Sequence, residues 1–66
     1  MEIILNGKPK NVADGLTAAE LVADLALSGR RYAMEVNGEL LPKRVHADHE
    51  LSAGDRVEIV QAVGGG

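Results

Sequence analysis

Met1 to Leu5 opens the chain as an apolar run with the look of a strand. Asn6-Gly7 follows, the pair that best suits a two-residue hairpin turn, because a type I′ turn needs positive φ at both central positions. Lys8 to Ala13 then returns as a second strand. Pro9 has no N–H to give a ladder, which places that strand at a sheet edge. Asp14-Gly15 turns the chain again. From Leu16 the period changes to that of a helix. Thr17-Ala18-Ala19-Glu20 is a capping box, and Leu16 and Leu21 stand where a hydrophobic staple puts its two members. Leu21 and Leu25, flanked by Ala18 and Val22, form the apolar stripe, with Glu20 and Asp24 on the wet side. The helix is predicted over about 18–27, with Gly29 as its left-handed stop.

Three further segments follow. Tyr32 to Val36 reads as a strand ending at Asn37-Gly38, and Glu39 to Leu41 as a short one ending at Pro42. Arg44 to Leu51 has no clean period and is expected to be a loop with one helical turn. Ala53-Gly54-Asp55 is a turn, and Arg56 to Val63 the strongest strand, with Val57, Ile59, Val60 and Val63 β-branched. A hairpin, a helix, then more strands is an α+β order. The last strand is apolar on both faces, so it belongs in the sheet centre beside the first. The expected fold is a β-grasp: a mixed sheet of four to five strands packed on one helix. Residues 1–63 form the domain and 64–66 a flexible glycine tail.

Composition bounds this picture. Sixty-six residues, 45% apolar, make one domain with one small core, and Tyr32 is its single aromatic. No apolar run is long enough to span a membrane, and Glu2 follows Met1 with no secretory leader pattern. No nucleic-acid role is expected at a net charge of −3. The two cation pairs, Arg30-Arg31 and Lys43-Arg44, read as solvated surface. The chain has no cysteine, which excludes disulfides and thiolate chemistry and fits a cytoplasmic location.

Few residues suit catalysis. His46 and His49 lack a third ligand and are expected at the surface, so no metal site is assigned. Ser28 and Ser52 sit beside glycines or turns, without a histidine and an acid arranged around them. Glu20 with Asp24, and Asp48 with Glu50, read as solvated carboxylates. The chain is not expected to be an enzyme in its own right.

The remaining candidate is the end of the chain, VQAVGGG. A terminal carboxylate is an anion at neutral pH and a poor electrophile. Joined to AMP as a mixed anhydride, it becomes electrophilic and gains a good leaving group. That step needs a thin strand of backbone reaching into a partner's closed site. Gly64, Gly65 and Gly66 suit this, spanning roughly 10 Å when extended and permitting backbone shapes that a Cβ forbids. Their ordering costs entropy, so affinity must come from elsewhere. Alternation places Val57 and Ile59 towards the helix and Val60 and Ala62 on the opposite face. Val60, Ala62 and Val63 are assigned to partner docking.

The opening MEIILNGK, the capped TAAELVADL, the segment EVNGELLPKR and above all LSAGDRVEIVQAVGGG resemble the ThiS family, ubiquitin-like β-grasp sulfur carriers of thiamine biosynthesis. The resemblance covers essentially the whole chain and departs at Lys43-Arg44, where arginine directly after Pro42 is the family expectation. It implies that Gly66 is adenylated by a ThiF-like enzyme at the expense of ATP. A persulfide or sulfide donor then converts it to a thiocarboxylate, and a ThiG-like thiazole synthase takes the sulfur. Gly65 and Gly66 match the family's di-glycine end. The rival readings are a sulfur carrier for molybdopterin or cysteine synthesis, and a ubiquitin-like modifier or non-covalent docking domain.

Overall fold

The computed structural model describes residues 1–61. Strands β1 (Glu2–Leu5) and β2 (Lys8–Asn11) form a hairpin, followed by helix α1 (Ala18–Asp24). Strands β3 (Tyr32–Val36) and β4 (Glu39–Leu40), a 3₁₀ turn at Lys43–Val45 and strand β5 (Arg56–Gln61) complete the order. The five strands make one mixed sheet in the order β2-β1-β5-β3-β4. β5 is central, parallel to β1 and antiparallel to β3. Pro9 lies in the edge strand β2, opposite Ile4, as its missing N–H requires. This is the expected α+β β-grasp.

Both Asn-Gly pairs turn the chain with positive φ, at 49° and 81° for Asn6 and Gly7 and 53° and 86° for Asn37 and Gly38. Their asparagines also reach across the sheet. The Ile59 N–H donates to Asn6 Oδ1 at 2.8 Å, and Asn6 Nδ2 donates back to the Ile59 carbonyl at 3.4 Å. Asn37 Oδ1 accepts from the Arg56 N–H at 2.9 Å, while Asn37 Nδ2 donates to Asp55 Oδ1 at 3.0 Å. Each turn thereby extends the pairing of β5 with side-chain amides.

The helix starts as predicted: the Glu20 N–H donates to Thr17 Oγ1 at 3.1 Å, and the Thr17 N–H to Glu20 Oε1 at 2.9 Å. It ends earlier than predicted. The helix stops at Asp24 rather than near Leu27, and the residue in the left-handed region is Ala26, at φ 59°, instead of Gly29. The Leu27 N–H bonds to the Val22 carbonyl and the Ala26 N–H to the Ala23 carbonyl, the crossed pair of a Schellman stop. Gly29, at φ 80°, serves the next turn, closed by the Arg30 N–H on the Leu27 carbonyl. Leu25 therefore caps the helix, and it is half-buried against the core that Leu21 enters fully.

One face of the sheet carries the core. Ile3, Leu21, Met34 and Val57 are fully buried between sheet and helix, with Ala18, Val22, Val36, Leu51 and Ile59 around them. The segment after the 3₁₀ turn closes the core's far end. Its carbonyls at His46 and His49 accept from the Ala19 and Ala18 N–H groups, satisfying donors that a helix start leaves free.

Candidate functional site

β5 carries the candidate site. Its pleat sends Val57 and Ile59 into the core and Arg56, Glu58 and Val60 to the open face of the sheet. Register sets the neighbours: Val60 is opposite Ala33, Glu58 opposite Glu35, and Glu35 in turn opposite Leu40. Val60 is 69% exposed and Leu40 67%, the two large apolar side chains left uncovered among the described residues. A shallow depression lined by Gly38, Arg56 and Glu58 opens beside them. Val60 thus lies on the uncovered face, as alternation requires. Ala62, Val63, Gly64, Gly65 and Gly66 lie outside the described residues.

Ala33, Glu35, Leu40 and Glu58 were not singled out from the sequence. Strand alternation in Tyr32–Val36 carried the signal for the first two. Leu40 had none, because it comes from a two-residue strand whose pairing partner decides its face.

Gln61, the last described residue of β5, pairs with Tyr32 at the start of β3. Tyr32 is the centre of a small cluster. Its hydroxyl lies 3.0 Å from His46 Nδ1, and the two rings stack with centroids 5.7 Å apart. His46 Nε2 is 2.9 Å from the Leu41 carbonyl. A carbonyl only accepts, so Nε2 carries a proton, and in the neutral ring Nδ1 accepts from Tyr32. His46 is only 4% exposed, which corrects its expected place at the surface. The apolar walls cover it because both ring nitrogens find partners there. His49 is half-buried. With both nitrogens engaged, His46 is a structural pin and offers His49 no shared metal. Among the described residues no group of three metal-ligating side chains comes together.

Lys43 completes the cluster. Its ammonium stands 4.4 Å from the centroid of the Tyr32 ring and donates to the Arg30 carbonyl at 3.4 Å. The loop before β3 and the 3₁₀ turn are joined in this way at the end of the sheet where β5 finishes. Ser28 and Ser52 are exposed, as are the carboxylates Glu20, Asp24, Asp48 and Glu50. No helix among the described residues is long and apolar enough to cross a membrane.

The sequence profile of the ThiS family matches residues 3–66, nearly all of the chain. The chain belongs to the ThiS family. A thiazole synthase of Paramagnetospirillum magneticum is 35% identical over all 66 residues, and the chain spans 20% of that relative's length. The sulfur carrier protein ThiS of Escherichia coli is 29% identical, with both chains covered completely. The crystal structure of the thiamine biosynthesis protein ThiS from Geobacter metallireducens superposes with a TM-score of 0.84, at 33% identity and complete coverage of both chains. Against that ThiS structure the five-stranded sheet and single helix stand as the β-grasp of the family.

Proposed function

We propose that this chain is a sulfur carrier of thiamine biosynthesis, with Gly66 as its working residue. The family match running through Gly66 carries the reading. A Gly66 carboxylate oxygen attacks the α-phosphate of ATP in a ThiF-like enzyme, and pyrophosphate leaves. Sulfide then attacks the acyl carbon of the adenylate, AMP leaves, and a thiocarboxylate remains. With a protein persulfide as donor, the acyl disulfide formed first is cleaved by a second thiol. A ThiG-like thiazole synthase is the proposed acceptor, supported by the thiazole synthase relative that contains a matching segment. The chain supplies no catalytic group in this scheme; ATP and the sulfur donor enter through its partners.

The body of the domain serves as the handle. Val60, with Ala62 and Val63 beyond it, docks on the partner, and Gly64, Gly65 and Gly66 pass into the partner's site as the thin tail of the 1–63 domain. Exposed Val60, opposite Ala33, and exposed Leu40, opposite Glu35, support this role for the open face. Incubation with ATP, the cognate activating enzyme and sulfide, followed by intact-mass measurement, tests the reading. The expected result is exchange of one oxygen for sulfur. Lysine-linked conjugates indicate a modifier, and an unchanged mass a docking domain. Sulfur passed from the thiocarboxylate to a molybdopterin precursor or to cysteine synthesis, and refused by thiazole synthase, reassigns the pathway.

A further inference from the structure

The two dibasic pairs, expected as solvated surface, come together in the fold. Arg30, Arg31, Lys43 and Arg44 are four of the seven lysines and arginines of an acidic chain. Arg30 and Arg31 immediately precede Tyr32, the residue opposite Gln61. Lys43 is tied to that same place by its bond to the Arg30 carbonyl and its seat over the Tyr32 ring, and Arg44 follows it in the 3₁₀ turn. All four are exposed. Among the described residues the one ion pair joins the amino terminus to Asp14, so no described carboxylate is paired with any of these four cations. Buried His46 is in hydrogen-bond contact with the Tyr32 hydroxyl and so helps to fix the ring over which Lys43 sits.

We propose that these four residues form a basic collar around the root of the tail, and that it docks on an acidic rim of the activating enzyme. The inference rests on the sulfur-carrier reading and adds the chemistry of the partner's surface. Distance decides between a protein rim and the nucleotide. Five residues follow Gln61. Fully extended they span roughly 17 Å, about twice the screening length of about 8 Å at physiological ionic strength. A collar at the root of an inserted tail therefore faces the mouth of the partner's channel and stays clear of the reacting phosphate. Carboxylates around that mouth are its complement, and such rim charges act through encounter rate and salt sensitivity.

Calorimetric binding of the intact chain to its activating enzyme, across a series of sodium chloride concentrations, tests the collar. Arg30→Gln/Arg31→Gln/Lys43→Gln/Arg44→Gln is expected to weaken binding about tenfold or more at low salt and to flatten the salt dependence. Arg31→Gln/Arg44→Gln, whose side chains make no hydrogen bond or ion pair among the described residues, isolates charge from folding and is expected to show part of the same loss. Lys8→Gln/Lys10→Gln, on the opposite edge strand β2, is the control and is expected to bind as the parent does. Unchanged affinity and salt slope in both collar variants, or an equal loss in the control, overturns the collar. So does tight binding of inorganic tripolyphosphate to the chain alone, which makes the cations a phosphate site. Intact-mass measurement at saturating enzyme separates the two levels. Salt-sensitive binding without oxygen-for-sulfur exchange removes the sulfur-carrier reading and leaves the collar. Exchange in the parent with no effect of the collar variants on binding does the reverse.

Discussion

Asn6 and Ile59, 53 positions apart, are bonded to each other twice: the Asn6 side-chain amide both accepts from and donates to the Ile59 backbone. The Asn6 N–H also bonds to the Val57 carbonyl at 2.9 Å. A residue that reads as a local turn signal thereby fastens the first hairpin to the central strand. Asn6→Ala loses both side-chain bonds and strains a backbone at φ 49°, and is expected to cost about 2–3 kcal/mol in urea unfolding. Asn6→Gly relieves the backbone and loses only the bonds, so it should cost less. Equal losses for the two would show that the turn conformation contributes nothing.

Ala26 occupies a left-handed C′ position that glycine ordinarily fills. Ala26→Gly is expected to stabilise the domain by about 0.5–1 kcal/mol, as relief of the Cβ clash exceeds the added freedom of the unfolded chain. Gly29→Ala has open space for its Cβ but keeps φ at 80°, and should cost about 1 kcal/mol. Thermal unfolding of both variants checks the placement of the helix stop.

His46→Ala leaves the Leu41 carbonyl without its donor and the Tyr32 hydroxyl without its acceptor. Chemical denaturation is expected to show a loss of about 2–4 kcal/mol, combining the cavity with two stranded polar groups. Tyr32→Phe removes only one bond and should cost about 1 kcal/mol. A surface histidine would give a change within about 0.5 kcal/mol.

Val60→Asp changes an exposed side chain on the open face of the sheet. Its unfolding midpoint should stay close to the parent's, within about 0.5 kcal/mol. Its dissociation constant for the activating enzyme should rise about tenfold, as expected for an apolar residue at the middle of an interface. Thiocarboxylate formation at saturating enzyme should persist. Loss of activity that saturation does not rescue would place Val60 in the chemistry instead of the docking.

Deleting Gly66, or capping it as the amide, should abolish adenylation as read by pyrophosphate release. The thermal midpoint should hold, since among the described residues the buried core runs from Ile3 to Ile59 and does not need Gly66 to close it. A collapse of the melt would make the tail structural.

The start of the helix, both Asn-Gly turns, the edge position of Pro9 and the central place of β5 were legible in the sequence alone. Each rests on residues a few positions apart or on the strand's own composition: Thr17 reaches Glu20, and β-branched residues line Arg56–Gln61. The helix stop at Ala26 is closed by local bonds, but the burial of His46, the face taken by Leu40 and the gathering of the cations were decided by the tertiary structure. His46 is buried because Tyr32, 14 positions away, offers its hydroxyl, and Lys43 meets Arg30 across 13 positions. Local hydrogen bonding and side-chain shape are written into neighbouring residues. Burial and charge clustering depend on which distant segments the sheet brings together.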